Sequence, residues 1–111
     1  MKAKDFDKLV KDTIENLVAT LKSKGDEYDS DVDRLHNFKR TGRMKDECPE
    51  KALWGMVAKH DAAVADLIDS CDACNEDEKP MMLTKEFIEE KIGDRIAYNV
   101  LLMALLIERL E

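Results

Sequence analysis

The sequence predicts an all-α fold, a bundle of about four helices that dimerises, and three observations lead there. Only 4 Gly and 2 Pro occur in 111 residues, too few for the many turns of a β-sandwich. Apolar residues make up 44% of the chain, enough to build a core and too many for a disordered acidic tail. The apolar positions recur at steps of three and four, the signature of helices with one buried face. The length suits a single domain over residues 1–111.

In the first helix Phe6, Val10, Ile14, Leu17 and Leu21 align on one face. Asp5 is its expected N-cap and Gly25 its expected stop. A second, shorter helix is expected from about Asp33 to Thr41, with Leu35 and Phe38 inward and Gly42 ending it. The third opens at Pro49, a favoured first-turn residue, and carries the stripe Leu53, Val57, His60, Val64, Leu67 and Cys71. The fourth starts near Thr84 and runs to the C-terminus. Its first half is charged, whereas Ala97 to Ile107 is apolar apart from Asn99. A helix apolar on all sides must be covered on all sides. Hence a homodimer through the C-terminal helix is expected, with Asn99 setting register in the seam; a wholly intramolecular core is the alternative.

Charge narrows the function. With 25 Asp and Glu against 18 Lys and Arg the net charge is −7, and only 5% of residues are aromatic. Direct nucleic-acid binding is not expected from such a chain, which offers neither a phosphate-attracting field nor stacking platforms. No apolar stretch follows Met1-Lys2-Ala3-Lys4, so secretion is not expected; the longest apolar run, Val100 to Ile107, is too short for a bilayer, and three cysteines make no disulfide framework. A cytoplasmic protein with reduced thiols and no membrane partner is the expectation.

Two places hold chemistry. Glu90 and Asp94 are four residues apart, so they stack on one helical face, with Gly93 between them leaving room for close approach. Such a pair can share a hard divalent cation, Mg2+ or Mn2+, or can simply be a solvated patch near a helix start. His60 interrupts the apolar stripe of the third helix, where a polar ring needs a partner. It reads as a metal ligand or general base, or as a hydrogen-bonded core residue. Lys59 beside it can contact phosphate and Asp61 adds a carboxylate. Further contributors are Arg34 and Lys39 for phosphates, Asn37 for a base or sugar, and Glu27, Tyr28 and His36 nearby.

Two motifs are set aside. Asp29 to Asp33 imitates the start of a calcium loop, but Arg34 stands where glycine is required and Arg40 where the closing glutamate belongs. Cys71 and Cys74 have metal-ligand spacing without a second paired motif.

The segments Lys24–Tyr28, Asp33–Lys39, Ala52–Met56 with Lys59-His60, and Glu90–Asp94 with Tyr98 resemble small phage and prophage proteins of the nucleotide-modification-associated type. More distantly, Glu90-Lys91-Ile92-Gly93-Asp94 looks like the metal-binding segment of MazG-like all-α nucleoside triphosphate pyrophosphohydrolases. That resemblance implies helix-borne carboxylates holding magnesium over a triphosphate, with a monophosphate and pyrophosphate as products. Asp94 matches the family aspartate, whereas Lys91 takes a glutamate position and Glu90 stands in one residue earlier. Lys59-His60-Asp61 replaces the family's Glu-Glu-x-x-Glu. The order His36, His60-Asp61, Asp94 also looks like an HD-type metal-dependent phosphohydrolase. A third reading is a non-enzymatic acidic phage protein that binds a host factor.

Overall fold

The computed structural model describes residues 1–28 and 33–111, and the side chains of all of these except 24–28. The described residues form four helices: α1 (Ala3–Tyr28), α2 (His36–Lys45), α3 (Pro49–Ala73) and α4 (Lys85–Glu108). They form an all-α bundle in which α2 and α4 both pack on α3, while α1 packs chiefly on α4. Glu50 of α3 pairs with Arg109 and Asp61 with Arg95, so α3 and α4 run antiparallel.

Local chemistry explains the two clearest helix starts. Pro49 stands in the first turn of α3, where its missing N–H costs nothing. Thr84 caps α4, its Oγ1 accepting from the Phe87 N–H at 3.1 Å. The start of α2 is set by Asp33, whose carboxylate accepts from the Leu35 N–H at 2.9 Å, a turn that places the first helical residue at His36 rather than Asp33.

Three further helix boundaries differ from expectation. Asp5 lies inside the first turn of α1, because the Asp5 and Phe6 N–H groups already donate to the Lys2 carbonyl. Gly25 does not stop α1, which continues to Tyr28; a glycine ends a helix where the chain turns left-handed, and otherwise only weakens it. Gly42 does not end α2 either. Asp46 does so, at φ 55°, with its own N–H donating to Arg43 O and the Glu47 N–H to Gly42 O, a Schellman-type stop. Gly42 serves that reversal from inside the helix: a Cβ there would sit 2.7 Å from the Glu47 carbonyl oxygen.

The core lies where α2, α3 and the C-terminal half of α4 meet. Leu35, Phe38, Leu53, Val57 and Leu105 form it, with Met56, Tyr98 and Leu101 packed against it. The stripe of α3 is buried from Leu53 through His60 to Leu67, while Cys71 in the last turns is exposed. Ion pairs close this end. Lys39 bridges Asp33 at 2.8 Å and Glu108, and Arg109 grips Glu50 through two hydrogen bonds, one of them 2.9 Å. That guanidinium holds the Glu50 carboxyl well below its usual range, at about 2. By contrast, the stripe of α1 contributes no buried residue: Phe6, Val10 and Ile14 are exposed, and Leu17 and Leu21 only half-buried. No helix among the described residues is long and apolar enough to cross a membrane.

Candidate functional site

Between α1 and the N-terminal half of α4 lies a cleft of about 700 Å³. Its walls are apolar where the helices face each other, with Leu9 and Leu17 on one side and Ile88, Ile92 and Ile96 on the other. Its polar lining divides by helix. The α4 wall supplies Glu86, Glu89, Glu90 and Asp94, while the α1 wall supplies Thr13, Asn16 and Thr20. No lysine or arginine is among the described lining residues, although Lys91 lies 3.6 Å from Glu90 and Lys85 3.7 Å from Glu89. Glu90 and Asp94, one helical turn apart, therefore share one concave surface with neutral hydrogen-bonding groups opposite. Gly93 sits between them with nothing within 4 Å of the position a Cβ would take.

His60 approaches the same carboxylate from α3. It is buried, 8% exposed, and its Nδ1 has no hydrogen-bond partner. The nearest carboxylate oxygen, Asp94 Oδ2, is 3.9 Å away, beyond hydrogen-bonding reach. A buried polar atom left unpaired costs roughly 1–3 kcal/mol, so this ring is held where a further group can complete it. Two ligands of one ion, each about 2.0–2.2 Å from it, lie roughly 3–4 Å apart, and a bridging water needs a little more. Tyr98, one helical turn along α4 from Asp94, also packs on the ring, centroids 5.4 Å apart at 45°.

The remaining residues singled out from sequence are dispersed. Asp61 is engaged by Arg95 Nε at 2.8 Å. Lys59 is exposed on α3. Lys39 is held by Asp33 and Glu108, and Glu108 is 14 positions from Asp94, or about 21 Å along a helix. Arg34 and His36 are exposed at the start of α2, and Asn37 is half-buried there, at that same distant end. Glu27 and Tyr28 lie outside the described side chains. Among the described residues no group of three or more His, Cys, Asp or Glu is gathered to hold a metal. The three cysteines are free thiols.

Sequence reasoning missed the opposite wall. Thr13, Asn16 and Thr20 recur at three- and four-residue steps along one edge of the α1 stripe. That polar edge was the available signal, for a helix face that packs wholly on a neighbour has little use for it. Comparison with family models, curated proteins and solved structures found no match to this chain.

Proposed function

We propose that this chain binds a phosphorylated nucleotide in the α1–α4 cleft through a divalent cation on Glu90 and Asp94, and that it hydrolyses nucleoside triphosphates to a monophosphate and pyrophosphate. The observation that carries this reading is the unpaired, buried Nδ1 of His60 set 3.9 Å from Asp94, whose carboxylate lines the cleft together with Glu90. Magnesium is commonly held by one or two protein carboxylates, with substrate phosphates and waters filling its other positions. Two stacked carboxylates fit that role, and an imidazole beside them favours manganese. When bound, the ion neutralises charge on the phosphates and lowers the pKa of a coordinated water.

The chain's own residues divide the remaining work. His60 is not among the described lining residues of the cleft, so its part, as ligand or general base, is to act beside the Asp94 carboxylate from the α3 side. Leu9, Leu17 and Ile92 offer apolar surface for a base, and Asn16, Thr13 and Thr20 offer hydrogen bonds to its edge or sugar. Among the described lining residues none is cationic, and Lys85 and Lys91 are turned to Glu89 and Glu90, so the metal is assigned the task of balancing the triphosphate's charge. Hydrolysis adds one water across the α–β phosphoanhydride, so pyrophosphate is the leaving group. In this reading the protein acts in the cytoplasm of a bacterial host of the phage or prophage that encodes it.

The test supplies purified protein with Mg2+ or Mn2+ and a panel of canonical and modified triphosphates. Pyrophosphate is expected from wild type and at least 100-fold less from Asp94→Ala, on the scale of losing one transition-state contact. Release that is absent throughout, or equal in the variant, overturns the proposal.

One observation favours a second reading. Four carboxylates, of which Glu89 and Glu90 are paired only loosely, by Lys85 at 3.7 Å and Lys91 at 3.6 Å, also suit a basic partner held by charge complementarity, the non-enzymatic host-factor role. A salt-sensitive host protein captured equally by the Glu90→Ala, Asp94→Ala double variant contradicts capture through this cleft; loss of capture in that variant supports it.

A further inference from the structure

The largest unexplained feature is the outer face of α1. Phe6, Val10, Ile14 and Val18 form a continuous row there, 43–61% exposed, although the apolar arc of the helix is wide enough to require a second neighbour besides α4. The C-terminal half of α4 leaves a second row open, with Met103, Leu106 and Ile107 each about half exposed. The chain as a whole is under-buried. A compact monomer of its 12.7 kDa mass exposes about 6,200 Å², whereas this chain exposes 8506 Å². Its radius of gyration is 16.7 Å, against about 13 Å for a compact domain of this length. The excess of roughly 2,300 Å² exceeds the ~800 Å² per partner of a stable interface.

We infer that a second copy of this chain covers both rows, with α1 of each copy lying on the C-terminal half of α4 of the other. Charge selects this pairing. Residues 1–24, the stretch that carries the exposed row, hold six lysines against four carboxylates in a chain whose net charge is −7; Asp26 and Glu27 at the far end of α1 lie beyond that row. Laying α1 on α1 would set lysine rows against each other, whereas laying it on the acidic remainder of the partner sets unlike charges across the rim. The reciprocal arrangement is what a two-fold axis generates, since each copy then gives and receives the same contact. Asn99, exposed at the start of the α4 row, gives that seam a polar position that only one register satisfies. This extends the dimer expected from the C-terminal helix by making α1 its larger half. It does not depend on the cleft, which a single chain completes.

Sedimentation velocity of the full chain across micromolar concentrations tests it. Wild type is expected at twice the 12.7 kDa chain mass. Ile14→Glu with Val18→Glu, and separately Met103→Glu with Ile107→Glu, are each expected to halve that mass. Helical circular dichroism is expected to persist, because these side chains are exposed within one chain. Met44→Glu, exposed elsewhere, is expected to leave the dimer intact. A wild-type monomer at all concentrations overturns the inference. So does a dimer that survives either double variant, and survival of the α4 variant alone would indicate α1 pairing with α1.

Discussion

The two ends of α4 are built differently. Toward its C-terminus Ala97 and Leu105 are buried, Leu53 and Phe38 pack beside Leu105, and Lys39 with Arg109 ties the helix end to α2 and α3. Toward its N-terminus the same helix borders an open cleft, presents four carboxylates, and leaves a buried histidine without a partner. Burial and ion pairing at one end supply stability that the other end does not need to supply. A polar group can stay unsatisfied at the open end because the closed end holds it there.

Substitutions can break that contrast or sharpen it. The largest effect is expected at Leu53, 1% exposed at the centre of the closed end. Leu53→Ala is expected to cost about 2–5 kcal/mol in denaturant unfolding. A loss under 1 kcal/mol would mean that the closed end is not the core. Gly42→Ala is expected next, at about 1–3 kcal/mol, since the added methyl meets backbone at Glu47 and Cys48 and the reversal into α3 must shift.

Acid probes the same end more gently. Glu50 is held at about 2 against an ordinary 4.5, a lowered folded-state value, so its contribution is whole above 4.5 and is lost as pH falls toward 2. Because Arg109 is largely exposed, solvent screening makes the amount much smaller than the full shift. Arg109→Ala is expected to flatten stability against pH across that window; an unchanged acid limb would remove the pair from the account. The smallest effect has the opposite sign. Gly93→Ala adds a methyl into open space within a helix and is expected to gain about 0.5–1 kcal/mol, seen as a higher Tm. The same methyl stands between Glu90 and Asp94, so weaker metal-dependent nucleotide binding is expected alongside the gain. Stabilisation with unaltered binding would place the ligand elsewhere.

Much of the fold was legible in the residues because its signals are local. Pro49 and Thr84 mark helix starts by chemistry confined to one turn, and the stripe from Leu53 to Leu67 follows from spacing. The end of α2 was not legible. Gly42 resembles a stop, but its small size is demanded by backbone five to seven residues later, and the left-handed turn falls on Asp46. The stripe of α1 was visible as a periodicity, yet spacing does not say which neighbour covers it. At the site, the Glu90–Asp94 spacing and the misplaced polarity of His60 could be read directly. Their neighbours could not: Lys39 is drawn to Glu108 at the far end, and the α1 wall depends on how helices pack.

We propose that the open end of α4 takes a divalent cation while the closed end serves as scaffold. Backbone amide spectra recorded during a Mn2+ titration test it most directly, because the ion broadens nearby resonances. Selective broadening of 90–94, of His60 and of the α1 wall near Asn16 is expected, with Phe38, Leu53 and Leu105 unaffected. Broadening confined to the acidic connector around Asp77, or spread evenly over the surface, would contradict it.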